Sequence, residues 1–109
     1  MSGEERIIMF YVYILRSDKT KHLYKGLTSD LKERFSRHNA GKVISTKSGR
    51  PWKLIYYEAH RNKMLARKTE LFYKSSQGRR QLKKKLGLDF GEVAERLKAA
   101  GCLPAADLP

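Results

Sequence analysis

Ile7-Ile8-Met9-Phe10-Tyr11-Val12-Tyr13-Ile14-Leu15, the polar break Arg16-Ser17-Asp18-Lys19-Thr20-Lys21 and the run His22-Leu23-Tyr24-Lys25-Gly26-Leu27 form the stretch that decides the fold. The first run is dense in β-branched and aromatic side chains, which pack well on a pleated surface. The last alternates polar and apolar residues at period two. Together they predict two strands returning antiparallel as a hairpin. Tyr11 and Tyr13 share one face of the first strand, and Tyr24 is expected opposite one of them, so that two phenols meet across the hairpin.

Downstream, Thr28, Ser29 and Asp30 are good N-cap residues, Leu31 to Ala40 follows as a helix, and Gly41 is its stop. On that helix Leu31 and Phe35 are four apart and are expected to face the core, with Arg34 and His38 forming an adjoining stripe. Lys42 to Pro51 has a loop composition and is expected to be exposed and mobile. Trp52 to Glu58 reads as a third strand. Asn62 to Gln77 reads as a helix stopped by Gly78, with Leu65 and Phe72 toward the core and Glu70 beside them. Gly78 to Leu86 reads as a short basic helix. The result is an α+β domain, a three-stranded antiparallel sheet flanked by helices in the order β-β-α-β-α-α, over residues 6–87. Residues 88–109 form a tail, with a short helix expected over 91–101 and no structure over 103–109.

The chain has 109 residues, enough for one modest core. Its formal net charge is +13, and residues 6–87 hold 22 of the 24 basic side chains against five of the 11 acidic ones, a net of +17. Self-repulsion on that scale opposes compaction and points to a polyanionic partner, nucleic-acid phosphate being the commonest. The longest apolar run, Ile7 to Leu15, is far below the roughly 20 residues of a membrane span. With an acidic N-terminus unlike a secretory signal, a cytoplasmic protein without membrane attachment is expected. The single cysteine, Cys102, cannot close an intrachain disulfide and is given no role.

Taken one at a time, the candidate residues have ordinary explanations. A strand tyrosine is usually core, Arg34 could pair with Asp30, and Glu70 could pair with Lys74 or Arg67 on its own helix. In order along the chain, however, Tyr13, Tyr24, Gly26, Arg34, His38 and Glu70, with Ser45-Thr46-Lys47 and Arg50-Pro51-Trp52-Lys53-Leu54, resemble the GIY-YIG endonuclease superfamily, in particular its small stand-alone bacterial, UPF0213-like branch. The two motifs would be Tyr11-Val12-Tyr13 and Tyr24-Lys25-Gly26. Larger members often carry a lysine directly after the second motif, where this chain has Leu27. Because adjacent strand residues point to opposite faces, Lys25 is not expected to replace it.

The resemblance implies a metal-dependent endonuclease that hydrolyses phosphodiester bonds in DNA, with RNA not excluded, and roles of the kind found in DNA repair. Glu70 would hold one divalent ion, Mg²⁺ or Mn²⁺, which keeps most of its waters. Arg34 would stabilise the transition state, Tyr13 or Tyr24 would act on the attacking water, and His38 would orient a tyrosine or move a proton. Lys25, Arg37, Lys42, Lys47, Arg50, Lys74, Arg79 and Arg80 would contact the nucleic acid. No obligate protein partner is implied, so a monomer or weak homodimer is expected. The competing expectation is a nucleic-acid-binding module of the same fold with little or no cleavage.

Overall fold

The computed structural model describes residues 8–87 and 108–109. The elements are β1 (Phe10–Ser17), β2 (Leu23–Thr28), α1 (Leu31–Asn39), a 3₁₀ segment (Ile44–Gly49), β3 (Trp52–His60), α2 (Lys63–Lys74) and α3 (Ser76–Leu86). The α+β order expected from the sequence is observed, with the 3₁₀ segment added. The helix expected over 91–101 lies outside the described residues. Among those described, no helix is long and apolar enough to cross a membrane.

The sheet order is β2-β1-β3, antiparallel throughout. The central position of β1 explains its unbroken apolar run, because Val12, Tyr13, Ile14 and Leu15 are all fully buried and each face of the strand meets its own core. On one face Tyr13 and Leu15 pack with Leu31 and Phe35 of α1, with Trp52 and Leu54 of β3, and with Leu108. On the other, Val12 and Ile14 pack with Ala66 and Tyr73 of α2 and Leu82 and Leu86 of α3. A register shift on β3 beside Ile14 and Leu15 lets the adjacent Ile55 and Tyr56 both join this second core. Leu108 corrects the expectation of an unstructured C-terminus at that residue, and the Pro109 carbonyl accepts the Lys32 N–H at 3.3 Å.

Three local expectations are corrected. In α2 the inward face is Ala66, Glu70 and Tyr73, while Leu65 and Phe72 are 53% and 37% exposed. Small Ala66 allows the helix to approach the sheet, and Tyr73 reaches across to donate to the Glu58 carboxylate, so the helix is rotated away from its bulkiest apolar pair. Second, α2 ends at Lys74, not at Gln77. Ser75 is extended and caps α3, its Oγ accepting the Gly78 N–H at 3.1 Å and donating to the Phe72 carbonyl at 2.6 Å. Gly78 therefore lies in the first turn of α3 and does not stop α2. Third, Lys42 to Pro51 is not a loose loop. Thr46 and Gly49 are buried, and the fully buried Ser17 donates to the Gly49 carbonyl at 2.5 Å.

Glu58 ties β3 to both later helices. Tyr56 donates to it at 2.6 Å, Tyr73 donates from α2, His60 lies at 3.1 Å and Lys85 of α3 at 3.7 Å. Burial alone would raise this carboxyl, but the hydrogen bonds from Tyr56, Tyr73 and His60 and the charge of Lys85 hold it below its ordinary range.

Candidate active site

Four elements converge on the outer end of the first core. The hairpin register places Tyr13 opposite Gly26 and Leu15 opposite Tyr24. Tyr24 is thus diagonal to Tyr13, not opposite either tyrosine of β1, and the two rings are 6.2 Å apart. Asp30 caps α1 by accepting the Glu33 N–H at 3.1 Å, which orients the helix so that Leu31, Phe35 and His38 point inward. Gly41, at φ +77°, turns the chain out of the helix. Asn39 then exchanges two hydrogen bonds with the Trp52 backbone, at 2.7 and 2.9 Å, and pins the end of α1 to β3.

His38 is completely buried, deeper than an edge of the helix would place it. Its Nε2 lies 2.8 Å from the Tyr13 hydroxyl and its Nδ1 lies 2.7 Å from Thr46 Oγ1. Thr46 in turn donates to the Val43 carbonyl at 3.4 Å, so its oxygen is free to accept from Nδ1–H. That leaves Nε2 as the acceptor for the Tyr13 O–H, and the chain Tyr13, His38, Thr46, Val43 runs in one direction. Thr46 is held from the other side by Trp52, whose indole N–H donates to its carbonyl at 2.7 Å. Tyr24 packs edge-on against His38 at 5.0 Å and against Trp52 at 6.3 Å.

Burial pushes the Tyr13 phenol well above the ordinary phenol range and Tyr24 adds to this, while the Arg34 guanidinium beside it offsets part and the Glu70 charge raises it again. The charges of Arg34 on α1 and Glu70 on α2 thus both act on the buried phenol, in opposite directions. Glu70 is 5% exposed, and its two carboxylate oxygens take Arg67 at 2.8 Å and Lys74 at 3.1 Å.

The chain matches, over residues 9–85, the model of the GIY-YIG catalytic domain. It belongs to the GIY-YIG family. It is also 40% identical over 78 residues to the UPF0213 protein in the ldhD 5' region of Pediococcus acidilactici, covering 68% of this chain and 78% of that protein. The UPF0213 protein SpyM50708 of Streptococcus pyogenes serotype M5 (strain Manfredo) is 42% identical over 73 residues, 65% of this chain and 77% of that one. No solved structure matches the chain. The resemblance read from the residues is thus borne out, and the family is one of nucleases.

The glycine that closes the second GIY-YIG motif has a steric reason. A Cβ on Gly26 would sit 2.4 Å from both Cζ and Oη of Tyr13. Gly26→Ala is therefore expected to displace the phenol from His38, at a cost of about 1–3 kcal/mol in stability and roughly tenfold or more in any activity that uses the site. Chemical denaturation with circular dichroism checks the first value, and a variant as stable as the wild type would contradict it.

His38 has a second consequence. Burial, with the Arg34 charge adding to it, lowers its pKa from 6.5 to about 4. The folded state therefore binds fewer protons than the unfolded chain between these values, and stability is fully present above pH 6.5 and falls as the pH drops toward 4. The loss is expected to reach about 3 kcal/mol. Urea unfolding across this range should show that loss in the wild type and a shallower one in His38→Gln. Equal slopes would remove the assignment.

The cationic residues divide among three hollows. Arg34, Arg37 and Lys42 line one of about 630 Å³. Lys47 and Arg50 line its neighbour of about 660 Å³, where Arg50 also folds over Gly41 and donates to the Lys47 carbonyl at 2.9 Å. Lys25 and Arg79 line a smaller one of about 210 Å³ on the far face of the sheet, with Lys83. Lys74 pairs with Glu70, and Arg80 is exposed on α3 outside these hollows. Burial lowers the Lys25 pKa, and Arg79, Lys74 and Lys83 add to the shift. Leu27 packs on this same face, so Lys25 and Leu27 share it, contrary to the expectation that they would lie on different faces.

Thr46, Asn39 and Ser17 escaped the sequence reading. Thr46 carried a hint, because the Ser45-Thr46-Lys47 segment is part of the family resemblance, but a hydroxyl in a polar segment gives no sign that it will be buried against a histidine.

Proposed function

We propose that this GIY-YIG protein is a metal-dependent endonuclease that hydrolyses phosphodiester bonds in DNA, acting in the cytoplasm as a monomer or weak homodimer. The observation that carries the reading is the packing of Tyr13 and Tyr24 about the buried His38, with the charges of Arg34 and of the buried Glu70 both acting on the Tyr13 phenol. Among the described residues no three His, Cys, Asp or Glu side chains cluster as a metal cage. A lone buried carboxylate fits a hard, largely hydrated ion such as Mg²⁺ or Mn²⁺, which takes one or two protein ligands. Arg67 and Lys74, which hold the Glu70 oxygens, are half-exposed and can swing away from it. Glu70 would hold the ion, which when bound acidifies water and neutralises charge on the phosphoryl oxygens.

The remaining roles follow from the hydrogen-bond directions. Tyr13 donates a hydrogen bond to His38 Nε2 and stays protonated, so its oxygen lone pairs would be left to orient groups in the cleft. His38, neutral above pH 4, keeps that phenol in place. Tyr24, half-buried at the rim, is the phenol left to orient and deprotonate the attacking water with the help of nearby positive charge. Arg34 would stabilise the developing charge through paired N–H donors. Arg37, Lys42, Lys47, Arg50, Lys25, Lys74, Arg79 and Arg80 would hold the phosphate backbone.

The test is incubation of the purified protein with labelled single-stranded and duplex DNA in Mg²⁺, Mn²⁺ or EDTA, beside Arg34→Ala. Cutting that needs the ion and is lost in the variant supports the reading. A second reading, binding without cleavage, is favoured by the two ion pairs that occupy Glu70. It predicts steeply salt-dependent binding with no cutting under any ion.

A further inference from the structure

Ile44 begins the 3₁₀ segment and is 93% exposed, more than any other large apolar side chain among the described residues. A single exposed isoleucine needs no explanation by itself. The position of this one does, because it forms part of the wall of both large cationic hollows. On one side lie Arg34, Arg37 and Lys42, and on the other Lys19, Lys47 and Arg50. An apolar knob thus stands between two clusters of cations and shares one hollow with Arg34 of the candidate active site.

The knob also has a firm base. Thr46, two residues on, is fixed by His38, by Trp52 and by its own bond to Val43, and Gly49 is fixed by Ser17. The backbone on both sides of Ile44 is thereby tied to the rest of the protein. Phosphates suit the cations on either side, but the group between them must be apolar and flat enough to cover an isoleucine. In a nucleic acid that group is the face of a base, which is reachable only where stacking is interrupted.

We infer that Ile44 is a wedge that packs against an unstacked base of the substrate while the flanking phosphates lie in the two hollows. The substrate class is therefore a single strand, or a duplex opened at one step. The inference rests on the nucleic-acid reading above and deepens it by naming the form of DNA.

The experiment is a double-mutant cycle on the full chain, pairing Ile44→Ala with an abasic nucleotide placed in turn along a short fluorescent single strand, with binding read by anisotropy in Ca²⁺. Ile44 is exposed and outside both cores, so the variant keeps the fold. Ile44→Ala is expected to weaken binding of the intact single strand by roughly tenfold and of a fully paired duplex by less than about twofold. At one position the abasic strand should weaken wild-type binding equally and add nothing in the variant. 2-Aminopurine placed there should change its fluorescence with wild type and not with Ile44→Ala. Equal binding by both proteins, additive losses at every position, or no binding of DNA by the wild type overturns the inference. Sedimentation of the free protein that shifts on Ile44→Ala also overturns it, since the side chain then serves contact between copies. Cutting assays on the same samples separate the two claims. Cutting with an inert Ile44→Ala defeats only the wedge, and a working wedge without cutting defeats only the nuclease.

Discussion

Glu70→Gln is expected to lower ion-dependent cleavage by roughly a thousandfold, equivalent to about 4 kcal/mol of transition-state stabilisation, with DNA affinity unchanged or slightly higher. Gln keeps the shape but only one acceptor oxygen, so one of Arg67 and Lys74 loses its partner, and both are half-exposed and can turn to solvent. What it lacks is the charge that retains a hard cation. Removing one negative charge from so basic a surface can only favour phosphate binding. Single-turnover cleavage and anisotropy on the same preparation separate the two effects. A variant that cuts within about tenfold of wild type would exclude Glu70 as the ligand.

Gly78→Ala is expected to be the most destabilising small change in the described part of the chain, at or beyond the upper end of the about 1–3 kcal/mol usual for overpacking. A Cβ at Gly78 would lie 1.7 Å from the Phe72 carbonyl oxygen and 2.5 Å from its carbon, and both are backbone atoms with no rotamer to yield. Relief requires opening the junction of α2 and α3, which loosens the Ser75 cap and the packing of Leu82 and Leu86 beneath. The midpoint of denaturant unfolding measures this, and a shift worth under about 1 kcal/mol would show that the junction is softer than its geometry implies.

The hairpin, α1 with its Asp30 cap and Gly41 turn, and β3 were all legible because strand period, capping side chains and left-handed turns act within a few residues of one another. The ordered tyrosines, Arg34, His38 and Glu70 were legible as a set for a different reason, their resemblance to a family. The face of α2 was not legible. Its strongest apolar pair, Leu65 and Phe72, suggested one orientation, whereas Ala66 and the reach of Tyr73 to Glu58 imposed another. Gly78 reads locally as a stop, and only the approach of a carbonyl from the preceding helix shows why a side chain is excluded there.

By itself, then, the sequence determined the strands, the helices, their order and the positive charge that favours a polyanion, all consequences of local pattern and composition. The tertiary structure decided that His38 is buried and neutral between Tyr13 and Thr46, that Gly26 makes room for a phenol, and that Ile44 projects between two cationic hollows. Each of these depends on groups far apart in the chain, whose burial and charge exist only once the sheet and helices have packed.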